Sequence, residues 1–228
     1  MTTPGSNGAR SGPATVKVWD IFVRLFHWIT AAAFFVAYLT EDDFLTLHVW
    51  AGYTVGALVV LRVLWGFVGP KHARFSDFFF GPAKAWRYLI DLVAFRAKRY
   101  LGHSPAGAAM VFALLIGLAA TVWTGLELYA VEENAGPLAS RQTLAAPPAS
   151  RSPLLVFVNG DGDRAEDEDE DGRPGDRRDG GIWEELHEAL AEVTLILVIL
   201  HIGGVVLASV VHRENLAKSM VTGRKRTE

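Results

Sequence analysis

Four apolar runs, each long enough to cross a bilayer, constrain this chain more than any other feature. A transmembrane helix needs about 20 mostly apolar residues. The runs are Leu25–Leu39, extended backwards by Ile21, Phe22 and Val23; Val49–Val68; Pro105–Leu126, with Pro105 suited to a first helical turn; and Ala189–Val211, whose helix begins near Ile182. Each is apolar all round, whereas the helices of a soluble bundle keep a polar stripe. The pattern predicts an all-α fold, an integral membrane four-helix bundle.

The segments between the runs differ sharply in charge. Residues 1–18 are polar and Gly/Pro-rich and lack the apolar core of a secretory signal, so they read as a disordered tail before a signal anchor. Helices one to three then occupy 19–126, with a basic connection at 69–104. A long acidic loop spans 127–181, helix four spans 182–212, and a basic tail spans 213–228. Arg10, Lys17 and Arg24, the connection with Lys71, Arg74, Lys84, Arg87, Arg96, Lys98 and Arg99, and the tail with Arg213, Lys218, Arg224, Lys225 and Arg226 all fall on one side of the membrane. The turn between helices one and two carries Glu41, Asp42 and Asp43 and no base. Basic loops stay inside, so both termini are expected in the cytoplasm. Within the connection, Trp86, Leu89, Ile90 and Val93 recur at helical spacing over Pro82–Ala97 among Lys84, Arg87 and Arg96. This suits either a helix lying in the membrane interface or a basic loop. Residues 161–180 hold ten acidic residues and four arginines, a net of −6. Asp167, Asp169, Asp171 and Gly172 open like a calcium loop, but Arg178 stands where the bidentate Glu is required. A solvated acidic segment is expected there.

The chain has no cysteine. That excludes disulfides, iron–sulfur clusters, thiolate zinc sites and covalently attached c-type haem. Of the seven histidines, four lie in or at the edges of the spans: His27, His48, His187 and His201. An ionisable group in a span is a functional-site candidate. His187 and His201 are fourteen residues apart on one helix, so they point the same way and stand about 21 Å apart along its axis. One metal cannot join them; two stacked cofactors can. Alternating helix direction then fixes depth. His27 shares the cytoplasmic level with His201, and His48 shares the external level with His187. Two facing imidazoles at each of two levels suit the axial ligation of two haems, whereas zinc requires three or four ligands at one level. With no cysteine the haems would be non-covalent b haems. Gly52 and Gly56 follow His48 on one helix face and clear room for a flat macrocycle, or serve ordinary small-residue helix packing. Arg62, on the same face at the cytoplasmic level, and Arg24, one turn before His27, are candidate partners for haem propionates, or snorkel to the interface.

With these residues the sequence resembles the bacterial cytochrome b561 family, which includes the b-type cytochrome subunits of nickel–iron hydrogenases and resembles those of membrane-bound formate dehydrogenases. The likeness covers residues 17–130 and 182–226. It is carried by VWDIFVRLFHW, LHVWAGYTVGALVVLRVLWGFVGP, YLGHSPAGAAM, TGLELYAVEENAGPLA and the fourth-helix stretch from WEELHEAL through LHIGGVVLASVVHRENLAKSMVTGRKR. The resemblance implies that His27, His48, His187 and His201 ligate two b haems. It implies a multi-pass protein of the bacterial inner membrane that passes electrons between the quinone pool and an external redox protein, a c-type cytochrome or a hydrogenase or dehydrogenase. Ser104 stands in a stretch resembling GHNP, where Asn is common, and His103 beside it is either a proton-exchanging group at a quinone pocket or an interfacial His at a helix start. His72 and His212 read as solvated.

Two other functions compete. One is a stand-alone oxidase of superoxide or another small oxidant at the external haem, which the acidic outer loop disfavours for an anion. The other is a membrane anchor that has lost its cofactor, which four intact histidines disfavour. The partners expected are membrane lipid, quinone and an external redox protein; a nucleic acid is not among them.

Overall fold

In a computed structural model of the chain, residues 15–41, 43–139 and 174–227 are described. Strand β1 (Thr15–Lys17) leads into α1 (Ile21–Leu39) and α2 (Leu45–Val68). A 3-10 turn at Phe75–Asp77 and helix α3 (Pro82–Val93) precede α4 (Pro105–Glu132). Helix α5 (Pro174–Val211), α6 (Leu216–Thr222) and β2 (Arg224–Arg226) complete the order. Four of these helices are long and apolar enough to cross a membrane, with mean hydropathy from 1.6 to 2.6. Asp20 caps α1 by accepting from Val23 N–H at 3.0 Å. Ser104 caps α4 by accepting from Gly107 N–H at 3.2 Å, with Pro105 in the first turn.

The spans pack as neighbours, α1 on α2, α2 on α4 and α4 on α5. Ala33 and Phe34 of α1, Val55 and Val59 of α2, and Leu115 and Leu118 of α4 form the buried centre, with Leu195 and Val198 of α5 against it. Polar contacts join α4 and α5 at the same depth. Thr194, fully buried, meets the Thr121 hydroxyl at 3.2 Å. A Cβ on Gly117 would come within 2.9 Å of Thr194 Oγ1, so only glycine admits this approach.

Three expectations need correction. Helix α5 begins at Pro174, not near Ile182, so residues 174–180 of the expected acidic loop are helical; at 38 residues the helix is about 57 Å long, well beyond the roughly 30 Å of a hydrocarbon core. The remainder of the net-negative segment, 161–173, lies outside the described residues, as does 1–14 of the expected tail. Residues 15–18 are not tail: β1 pairs antiparallel with β2, Val16 opposite Lys225, and Val18 and Trp19 are buried. The basic C-terminal stretch is likewise folded. The architecture is mostly helical, with four candidate spans and one two-stranded sheet of three-residue strands.

This sheet and α6 close one end of the bundle. Asn215 caps α6 through Lys218 N–H at 2.7 Å, and Gly223 ends it at φ +76°, a left-handed turn that directs the chain into β2. Arg24 donates to the carbonyl of Val221. Glu214 ties the end together, accepting from Arg99 Nη2 at 3.0 Å and from the Arg226 N–H at 3.0 Å. Burial alone raises the Glu214 carboxyl pKa, but the Arg226 N–H and the Arg99 guanidinium outweigh it and hold it below the usual carboxylate range. A folded pKa below the unfolded value of about 4.3 contributes stability that is full above that value and lost as pH falls through the folded pKa. Glu214→Gln is expected to destabilise by about 1–3 kcal/mol at neutral pH and to flatten the acid limb of the stability profile. Thermal melts in detergent at neutral pH and below about pH 4 check this; coincident melts of the two proteins at neutral pH contradict it.

Candidate haem site

The four spanning histidines meet in two pairs from different helices. His27 of α1 and His201 of α5 have ring centroids 6.2 Å apart, with planes at 56°. His48 of α2 and His187 of α5 have centroids 5.9 Å apart, with planes at 78°. Two imidazoles bound to one metal through a nitrogen each, at about 2 Å per bond, hold their ring centres about 6 Å apart. Both separations suit a single metal atom between the rings. Among the described residues no group of three or more His, Asp and Glu gathers at one place. Each pair therefore offers two facing imidazole donors, a set that would suit a macrocycle supplying the remaining donors.

At the His48–His187 level the ring orientations are held from behind. His48 Nδ1 lies 2.9 Å from the Ala37 carbonyl. His187 Nδ1 lies 2.9 Å from the Thr121 carbonyl and 3.1 Å from Thr124 Oγ1. A proton on Nδ1 satisfies these acceptors and leaves the Nε2 lone pair for a metal. An open pocket adjoins the pair, lined by Phe34, Tyr38, Val55, Leu118 and Tyr129 among others. Gly52 opens into it, and a Cβ there would meet nothing within 4 Å. Gly56 behaves differently: its Cβ would lie 2.9 Å from Val122 Cγ1, so it lets α2 approach α4 instead of clearing the cavity.

At the His27–His201 level, near the closed end, buried polar atoms lack partners among the described residues. They include His27 Nδ1, Thr30 Oγ1, Arg24 Nε and Arg62 Nη1. Arg62 is 2% exposed, gives one bond to the Ala73 carbonyl at 3.2 Å, and lies over the Phe75 ring. A buried guanidinium with an unused donor is costly, and an anionic group at this level would satisfy it. Arg24 is less free, since its other end is committed to Val221.

The prokaryotic cytochrome b561 model matches residues 18–223. The chain belongs to the prokaryotic cytochrome b561 family. A probable Ni/Fe-hydrogenase B-type cytochrome subunit of Azotobacter chroococcum is 31% identical over 157 residues, covering 55% of this chain and 64% of its own length. Its counterpart in Azotobacter vinelandii is 31% identical over 146 residues, covering 50% and 60%. A probable Ni/Fe-hydrogenase 1 B-type cytochrome subunit of Escherichia coli K12 is 27% identical over 141 residues, covering 49% and 59%. The chain thus spans 59–64% of the length of these relatives. No solved structure matches it. Family membership and the four apolar helices make this an integral-membrane cytochrome of the b561 family.

Elsewhere in this cytochrome b561 chain the histidines serve other ends. His103 is packed between Trp19, at 4.7 Å, and Phe78, at 4.2 Å, with Nδ1 buried and unpartnered. Burial, followed by the charges of Arg62, Lys225 and His72, pushes its pKa down to about 3. Ser104 is engaged as the α4 cap. His72 lies against Gly102, and His212 Nε2 is 3.1 Å from Tyr88 Oη, so both are half-buried rather than solvated. Sequence reasoning did not single out Gly125. Its Cβ would lie 2.8 Å from His187 Cε1, which makes its missing side chain a condition for seating that ring. Thr121 and Thr124, which hold His187, lie on the same α4 segment, just before Gly125.

Proposed function

We propose that this cytochrome holds two b haems, one between His27 and His201 and one between His48 and His187. Electrons would pass along the bundle axis between quinone at the closed, basic end and a redox protein at the acidic end. What carries the reading is the presence of two imidazole pairs, each at single-metal spacing and fourteen residues apart along α5. A bound b haem supplies a one-electron ferric–ferrous couple. The protein's part is to fix and tune it. The Ala37 and Thr121 carbonyls orient the ligands of one level, and Arg62 offers charge to propionates at the other. If each pair supplied both protein ligands of its haem, neither haem would offer an open site for oxygen.

Lys and Arg concentrate at the closed end, which supports placing both termini in the cytoplasm of a bacterial inner membrane. His103, neutral and with Nδ1 unused, is suited to hydrogen-bond a quinone oxygen near the inner haem. The names of the relatives support a Ni/Fe hydrogenase as the redox partner at the acidic end, ahead of a c-type cytochrome. A stand-alone oxidase of superoxide gains no support, since Glu41, Glu132, Glu133 and Glu184 gather at the end where that anion would enter.

Haem content tests the reading. Pyridine haemochrome analysis of purified protein is expected to give about two haems per chain, all extractable by acid acetone because no cysteine can hold them. A redox titration should resolve two one-electron steps. A single haem per chain would overturn the two-level arrangement.

A further inference from the structure

Helix α3 divides its surface three ways. Ala85, Tyr88 and Leu92 are buried against the protein. Trp86, Leu89, Ile90 and Val93 form a second stripe that remains open, Trp86 at 66% and Val93 at 67% exposure. Lys84, Arg87 and Asp91 form the third face. At 3.6 residues per turn the three faces lie roughly 120° apart. A helix on a water-soluble surface needs two faces, and a helix crossing a membrane needs one; three faces suit a junction of protein, lipid and water.

The level of α3 agrees. It packs against α4 and α5, and Tyr88 reaches His212, the residue that follows α5, at 3.1 Å. It therefore lies where spans leave the hydrocarbon, and its apolar stripe continues the lipid-facing surface of the bundle. Phe79 and Phe95, at 76% and 65% exposure, extend that stripe at either end. From Pro82 to Arg99 the segment carries five bases and one acid. Arg99 is committed to Glu214, and Arg96 to Asp91 at 2.8 Å. Lys84, which lies over the Phe80 ring, Arg87 and Lys98 remain exposed at the margin of the stripe.

We propose that α3 is a membrane-surface helix that sinks Trp86, Leu89, Ile90 and Val93 into the leaflet at the closed end and binds anionic phospholipid headgroups through Lys84, Arg87 and Lys98. The occupant is lipid rather than a second protein because α3 packs on two spans, with Tyr88 against His212 just past the end of α5, and its flanking charge is complementary to an anionic leaflet. The proposal does not depend on the number of haems.

The absence of cysteine makes the test direct, since one introduced Cys is the sole labelling site. Nitroxides are placed singly at Trp86→Cys, Leu89→Cys, Ile90→Cys and Val93→Cys, and at Lys84→Cys and Asp91→Cys, in the haem-loaded full chain. The protein is held in bilayer discs of phosphatidylglycerol and phosphatidylcholine. The first four labels are expected to relax with dissolved oxygen and not with an aqueous nickel complex, and the last two to show the reverse. The triple variant Lys84→Gln/Arg87→Gln/Lys98→Gln, with its haem spectrum unchanged, should lose about fivefold in preference for spin-labelled phosphatidylglycerol over phosphatidylcholine for each base removed. Nickel-accessible labels on the apolar stripe, or labels shielded from both reagents, overturn the lipid assignment. An unchanged lipid preference in the triple variant overturns the headgroup assignment.

Discussion

Alanine at His187 is expected to halve the haem content of the cytochrome, and alanine at His48 to remove the same spectral component. The two rings share one level, 5.9 Å between centroids, and each is oriented by a backbone carbonyl behind it. Removing one axial imidazole leaves the other unable to hold a bis-ligated iron, so either substitution should abolish the outer haem. His27→Ala and His201→Ala should together remove the other component, because those rings stand 6.2 Å apart at the opposite level. Low-temperature optical spectra and redox titration of the four variants read the outcome. If His27→Ala and His48→Ala erase the same band, the pairing is wrong.

A second large effect is expected from a residue that touches no haem ligand through a polar atom. Gly125→Val places a branched side chain where even a Cβ would stand 2.8 Å from His187 Cε1 and 3.2 Å from Nδ1. The α4–α5 contact cannot open locally, because Gly117 and Thr194 hold the same two helices close two turns away. Overpacking of this kind costs about 1–3 kcal/mol, and the cheapest relief is to push the imidazole away from Thr121 and Thr124. The outer haem should then be lost or show a shifted midpoint potential, while the His27–His201 component keeps its spectrum and potential and serves as the internal control. An unperturbed outer haem in Gly125→Val would show that His187 has room the structure denies it.

The spans and the histidine pairing were legible because both follow from one-dimensional quantities. Hydropathy counts residues across a bilayer, and the rise of a helix converts the spacing of His187 and His201 into depth. Element ends were less so. Pro174 starts α5 eight residues before the expected point; Pro favours a first turn, yet the charge and glycine content of this stretch reads as loop. The β1–β2 pair was illegible because three-residue strands have no periodicity to detect, and Thr15 finds its partner at Arg226. Gly125 and His103 share that reason. What decides each is a side chain from another segment, His187 for the one and Trp19 with Phe78 for the other. Gly56 shows the converse, since a helical face shared with His48 did not reveal that Val122 occupies the space beside it.

The pairing of the first helix with the last has a consequence for how the cytochrome is made. His27 waits for a ligand partner 174 residues further along the chain, and His48 for one 139 residues further. At about 5–20 residues per second, a ribosome has been at work for roughly 10–30 seconds after α1 emerges before α5 can complete either pair. The sheet that closes the bundle forms later still, because β2 follows α5 and α6 in the chain. A nascent chain arrested after α4 would thus carry one half of each histidine pair and no means of retaining cofactor. Haem capture would have to wait for α5, and a chain arrested before it would remain colourless.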